Sequence, residues 1–260
     1  MLYPEHGFLD RFDAAAADGF RGVEYIAPYD YPAEAIVERL RRLGLEQVLF
    51  NSPTGDWAAG DRGMACVPGR QEEFAAGIEQ AISYARALDC RLVHVMAGVV
   101  PDDVAPEAAA AVLAGNLRHA AERLGQHGIV ALIEPINAVD MPGYALGTLD
   151  AAEAMLAAVA HDNLYLQYDF YHMAMTGVAL TENFARLLPR IGHVQVADAP
   201  GRGEPGTGQV DYAAVFAAVS ASGYGGWIGA EYRPVAGTSE GLGWMRGLVV
   251  PRPRGSTGSP

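Results

Sequence analysis

Ile129-Val130-Ala131-Leu132-Ile133-Glu134 is the stretch that decides the fold: a short apolar run, half of it β-branched, that stops on a carboxylate and then on Pro135. A run of that length, bounded by Gly128 and Pro135, reads as a fully buried strand of a parallel sheet. Downstream the same pattern recurs in Leu164-Tyr165-Leu166-Gln167-Tyr168-Asp169, in Ile191-Gly192-His193-Val194-Gln195 and in Gly226-Trp227-Ile228-Gly229-Ala230-Glu231. Each run ends on a side chain that can hold a metal: Glu134, Asp169, Gln195 and Glu231. Parallel strands of one sheet share their carboxyl edge, so the four side chains can converge on one divalent cation.

Upstream, Gly22-Val23-Glu24-Tyr25-Ile26, Leu45-Glu46-Gln47-Val48-Leu49-Phe50 and Arg91-Leu92-Val93-His94-Val95-Met96 read as three more strands. Between the strands lie stretches with apolar residues at three- and four-residue spacing: 33–43, 72–88, 106–126, 149–160, 181–188 and 212–221. Thr148 and Asp211 are helix starts; Gly44 and Gly128 are stops. Successive βα units predict an α/β fold with a parallel sheet, and the expectation is a (β/α)8 TIM barrel in one domain over residues 1–248. Seven strands are visible where such a barrel has eight. The first element, Phe8 to Asp18, is already a helix, so the first strand is read as missing or truncated, through a natural start further upstream or a start codon assigned late. An open first position leaves strand edges unpaired and invites association, which puts a homo-oligomer within expectation. A doubly wound sheet is the alternative architecture, with the strand-end residues gathered at a switch point. Asn51 to Arg70 is too long for an ordinary connection and reads as functional or disordered. Residues 249–260, rich in Arg, Pro, Gly and Ser, read as a solvated, disordered tail.

At 260 residues and 50% hydrophobic composition the chain can bury a substantial core. A formal net charge of −13 disfavours a nucleic-acid partner, which requires a basic face. It leaves room for a small anionic substrate held by one or two arginines. No apolar run approaches the roughly 20 residues of a membrane span, and no signal peptide is evident, so no membrane and a cytoplasmic location are expected. Cys66 and Cys90 alone do not make a disulfide framework.

Three carboxylates and one amide oxygen suit Mg2+ or Mn2+ better than a structural zinc ion. Glu134 and Glu231 can double as the acid–base pair. A metal chelating a carbonyl and its neighbouring hydroxyl acidifies the C–H between them, one Glu removes that proton to leave an enediolate, and the other returns it to the adjacent carbon. That is aldose–ketose isomerisation. His172 follows Asp169 by one helical turn and is a candidate substrate contact, as is His94 at its own strand end. Arg202, in Pro200-Gly201-Arg202-Gly203-Glu204-Pro205-Gly206, is placed to grip a substrate carboxylate by paired hydrogen bonds, with a surface pairing to Glu204 as the alternative. Gly201, Gly203 and Gly206 satisfy the dinucleotide fingerprint in letters only, because Pro205 interrupts it and no helix begins before Asp211.

Taken together, Ile133-Glu134-Pro135-Ile136-Asn137, Met141-Pro142-Gly143-Tyr144, Gln167-Tyr168-Asp169-Phe170-Tyr171-His172, His193-Val194-Gln195-Val196-Ala197-Asp198, the Pro200 to Gly208 loop and Gly229-Ala230-Glu231-Tyr232-Arg233-Pro234 resemble the hydroxypyruvate isomerase family. The likeness runs from Met1 to about Met245. It implies a xylose-isomerase-like TIM barrel, a group shared with ketose 3-epimerases and endonuclease IV. It also implies interconversion of hydroxypyruvate and tartronate semialdehyde, with Glu134 and Glu231 as the acid–base pair and Glu134, Asp169, Gln195 and Glu231 as metal ligands. Departures are the strand that usually precedes the Met-Leu-Tyr-Pro-Glu-His segment, Gln209 where Glu is typical, and the Arg252-Pro253-Arg254-Gly255-Ser256 tail. Rival readings are a 2-oxo-tetronate isomerase, a ketose 3-epimerase, in which His is expected at Gln195, a metal-dependent DNA repair nuclease, and a non-catalytic sugar-acid binding protein.

Overall fold

Strands made of continuous apolar residues demand cover on both faces, and the helices between them supply it. The computed structural model describes residues 1–246; the expected tail at 249–260 lies outside the described residues. Two compact units make up the chain, one of His6–Gln167 and one of Met1–Glu5 together with the chain from Tyr168 onward. Seven strands stand among the described residues, the number the sequence predicts, and their order follows the chain.

The larger unit holds β1 (Gly22–Tyr25), β2 (Glu46–Asn51), β3 (Leu92–His94), β4 (Val130–Ile133) and the start of β5 (Leu164–Asp169). All pair in parallel: Val23 opposite Gln47, Phe50 opposite Val93, Val93 opposite Ala131 and Leu132 opposite Tyr165. The register of β1 slips between Val23 and Glu24. Gln47 compensates, its Nε2 donating to the Val23 carbonyl at 3.3 Å and the Leu49 carbonyl at 2.9 Å. Helices α1 (Arg11–Ala17), α2 (Ala33–Leu43), α3 (Gln71–Leu88), α4 (Pro106–Gly125) and α5 (Leu149–Val159) alternate with the strands. Each buries the stripe its periodicity promised; in α3 this is Phe74, Ile78, Ala81, Ile82 and Ala85. The Thr148 side chain caps α5 by accepting the Ala151 N–H, and Gly44 ends α2 in the left-handed conformation.

In the smaller unit come the end of β5, α6 (Phe170–Thr176), α7 (Leu180–Leu187), β6 (Ile191–Val196), α8 (Tyr212–Ser222), β7 (Ile228–Ala230) and α9 (Thr238–Gly241). β6 and β7 are parallel, with Gln195 opposite Gly229. Asp211 caps α8 through the Ala214 N–H, as its sequence position predicts. Helix α6 is an addition to the expected elements: it starts directly after Asp169, whose Oδ1 accepts the Tyr171 N–H at 2.9 Å. β7 ends a residue short of Glu231, but the Glu231 N–H still donates to the Val196 carbonyl at 3.2 Å and prolongs the ladder. No helix among the described residues is long and apolar enough to cross a membrane.

Candidate active site

The strand ends deliver the expected side chains. In the larger unit Glu134 directly follows β4 and His94 closes β3, both almost fully buried, with His94 Nδ1 3.8 Å from Glu134 Oε2. Tyr144, which the sequence did not single out, belongs with them. Its hydroxyl accepts the Ala97 N–H at 2.8 Å, and burial, with the nearby Glu134 charge adding to it, raises its pKa far above the usual phenol value.

Around this pair the loops after three strands are tied into one frame. Gly63 bridges Ala97, the Cys66 N–H donates to the Ala97 carbonyl at 2.8 Å, and Val99 bridges Tyr144. The 51–70 loop is therefore ordered, with the Arg62 guanidinium 3.9 Å over the Trp57 ring at its outer end. Buried at the inner end, the Cys66 thiol is pushed up to about 11 and is inert rather than nucleophilic.

The smaller unit gathers the rest. Asp169, wholly buried at the end of β5, has its Oδ2 3.7 Å from His172 Nε2 one turn into α6. Arg202 reaches into the same cluster: its Nη2 is 3.0 Å from Glu231 Oε2, 3.8 Å from Asp169 Oδ2 and 3.5 Å from His172 Nε2, and its guanidinium lies 4.8 Å from the Tyr171 ring centre. The surface alternative fails, because Glu204 is itself buried and accepts the Val235 N–H at 3.0 Å. Gln195 is buried within β6, one residue before its end. Asp169 and Asp198 leave their mark on Tyr212, whose pKa is raised by burial first and by those two charges next, while its hydroxyl donates to the Ala197 carbonyl.

Arg202 is held in place by its loop. The residue is left-handed at φ 54°, its carbonyl accepts the Arg233 N–H at 2.7 Å, and Asp198 organises the turn by accepting the N–H groups of Ala199, Gly206 and Val210. Neither Asp198 nor Tyr171 was identifiable as a supporting group from sequence, since nothing in Val196-Ala197-Asp198 or Phe170-Tyr171 says where those side chains turn. As to a resident ion, a buried carboxylate beside an imidazole nitrogen, with a further carboxylate and a buried amide on neighbouring strand ends, is a donor set compatible with a divalent metal.

These elements define a class, and the comparisons agree with it: the family described as Xylose isomerase-like TIM barrel matches residues 12–248, and the chain belongs to it. A 2-oxo-tetronate isomerase of Cupriavidus necator is 46% identical over 95% of this chain and 95% of its own length. A hydroxypyruvate isomerase of Escherichia coli is also 46% identical, over 94% of this chain and 95% of its own. Among solved structures, one from Brucella melitensis titled AP endonuclease, family 2, superposes with a TM-score of 0.91 at 40% identity, covering 94% of each chain. The protein is an isomerase of that family.

Proposed function

We propose that the protein is a metal-dependent isomerase that interconverts hydroxypyruvate and tartronate semialdehyde. One observation carries the reading: a strand-end carboxylate, Glu231, stands 3.0 Å from the guanidinium of Arg202 in a cluster with Asp169 and His172. A sugar acid needs that combination, a cation for its carboxylate and an acid–base group for its carbon.

In this mechanism Glu134, Asp169, Gln195 and Glu231 hold Mg2+ or Mn2+. Such an ion, when bound, polarises the substrate carbonyl and acidifies the C–H beside it. Arg202 takes the substrate carboxylate through paired hydrogen bonds, and His172 and His94 hold its oxygens. One of the two glutamates removes a proton from the hydroxymethyl carbon, and the electron pair moves into the bond between the two carbons. The other glutamate delivers a proton to the former carbonyl carbon, while the hydroxyl proton passes from one oxygen to its neighbour. The frame of buried backbone around Ala97 and Tyr144 keeps the His94–Glu134 pair in place.

A four-carbon 2-oxo-tetronate is the second reading, favoured by the equal identity of the Cupriavidus relative. The acid–base chemistry is the same for both, and the pocket depth decides. A ketose 3-epimerase is disfavoured by the amide at Gln195. The formal charge of −13 counts against a nuclease. A small anionic substrate and a cytoplasmic setting complete the proposal.

Turnover of hydroxypyruvate and of 2-oxo-tetronates in deuterated water, with and without Mn2+, tests it. The expected result is Mn2+-dependent turnover with solvent deuterium at the carbon that gains the proton. Glu134→Gln and Glu231→Gln are each expected to slow turnover by about 10² to 10⁴, the usual share of an acid–base group. A near-normal rate in either variant removes that residue from the chemistry.

A further inference from the structure

We infer that Arg202 is a built-in counter-cation. In the metal-free protein it neutralises the acid cluster, and it must leave those oxygens when a divalent ion binds, so that the ion and a carboxylate substrate bind cooperatively. This rests on the metal-dependent reading above and adds to it an exchange of partners at a single side chain.

Charge is the starting point. Asp169 is wholly buried and the Glu231 side chain is 22% exposed. Carboxylates withdrawn from water in one cluster repel each other and are costly unless a positive group accompanies them. Arg202 is that group, for a guanidinium does not deprotonate in a protein. Its side chain is only 13% exposed, and a single nitrogen, Nη2, faces Glu231 Oε2, Asp169 Oδ2 and His172 Nε2 together. That nitrogen therefore sits against the oxygens assigned to the metal. A divalent ion drawn to Asp169 and Glu231 would meet a like charge at contact distance, and the two cannot share the same oxygens without loss.

The loop determines which part moves. Asp198 and the Arg233 N–H fix the Arg202 backbone, so the movable part is the side chain, lying over the Tyr171 ring. A guanidinium displaced from Glu231 loses its carboxylate partner, and a substrate carboxylate replaces it, with room for paired hydrogen bonds where Glu231 takes one from Nη2. Ion and substrate each relieve the cost the other would incur. Linkage makes the effect reciprocal: whatever factor the carboxylate adds to ion affinity, the ion adds to carboxylate affinity.

The test is calorimetric titration of metal-stripped protein with Mn2+, for wild type and Arg202→Gln, each with and without saturating propionate, a carboxylate that lacks a second chelating oxygen. Chloride at equal ionic strength is the control. Expected results are Mn2+ binding tighter in Arg202→Gln by at least about fivefold, the lower end of typical site-to-site coupling, and propionate tightening Mn2+ binding in wild type but not in the variant. Metal-free Arg202→Gln should also melt lower than metal-free wild type, with the gap closing in saturating Mn2+. Mn2+ binding that is equal in both proteins, or weaker in the variant, overturns the inference while leaving the metal site standing. Absence of Mn2+ binding in both overturns the metal reading and the inference together. If the variant does not fold, the wild-type propionate arm decides alone, and no tightening there overturns the proposal.

Discussion

Asp198 shows how much of a site can rest on a residue with no chemistry of its own. Its two oxygens accept three backbone N–H groups, those of Ala199 at 2.9 Å, Val210 at 3.0 Å and Gly206 at 2.8 Å, and its own N–H donates to the Gly203 carbonyl. The loop closes so tightly around it that a Cβ on Gly208 would come within 2.5 Å of Asp198 Oδ1 and 2.2 Å of the Ala199 carbonyl oxygen. Hydrogen bonds to an ionised acceptor are the strong ones, and Asp198→Ala strands three donors at once. The expected cost is at least about 1.5–3 kcal/mol, the range for hydrogen bonds to charged groups, read as a lower midpoint in urea. Because the same loop presents Arg202, the KM for the proposed substrate, hydroxypyruvate, should rise more than kcat falls. Lost stability with an unchanged KM would confine Asp198 to folding. The sequence reads Arg202 as a holder of a substrate carboxylate or a surface partner of Glu204, and local spacing gives no hint of Glu231, the carboxylate its Nη2 meets at 3.0 Å.

At the scale of elements, the legible parts were those governed by local pattern. Strand β4 announces itself because its residues are apolar without break, and β2 and β5 do so through the apolar cores Val48-Leu49-Phe50 and Leu164-Tyr165-Leu166; helices α2 and α5 do so through their stripes and end signals. Helix α6 was hidden for the opposite reason. Phe170, Tyr171, His172 and Met173 are all buried, so no polar face marks a period, and the cap that starts the helix is Asp169, a residue read as a metal ligand. The 51–70 loop was legible in length and not in order, since its order comes from backbone bridges to residues more than thirty positions away. Gly63 is the pivot of that stitching: φ is 113°, and a Cβ there would lie 2.4 Å from the Met96 carbonyl oxygen and 2.8 Å from the Gly98 nitrogen. The neighbours are backbone and cannot give way. Gly63→Ala is therefore expected to cost more than the ~1 kcal/mol of a typical point mutation, as strain and a lost bridge combine. Hydrogen exchange should show it first at the Cys66 amide, which that bridge secures; protection there equal to wild type would mean that the loop holds without the glycine.

Over the whole molecule, the division of the chain is the feature that sequence order conceals most completely. The smaller unit takes the downstream part of the chain and also Met1–Glu5, although the chain from His6 onward, helix α1 included, belongs to the larger unit. Local periodicity carries no information on such a pairing, because the partners are separated by 235 positions. One buried hydrogen bond expresses it: the Tyr3 N–H donates to Thr238 Oγ1 at 2.8 Å, with Tyr3 4% and Thr238 1% exposed. Tyr3 holds a left-handed φ of 54°, unusual for a bulky residue, so the contact must outweigh some backbone cost. Thr238→Val keeps the shape and volume of the side chain and removes the acceptor, leaving a buried N–H that has lost this partner. The penalty expected is about 1–3 kcal/mol. For a protein of this size each kcal/mol lowers Tm by about 2–4 °C. Thr238→Ser, which keeps the hydroxyl and loses one methyl group, should recover most of the difference. A valine variant that melts with wild type would show that the N-terminal segment is held by packing alone, and the serine variant would then fall below it.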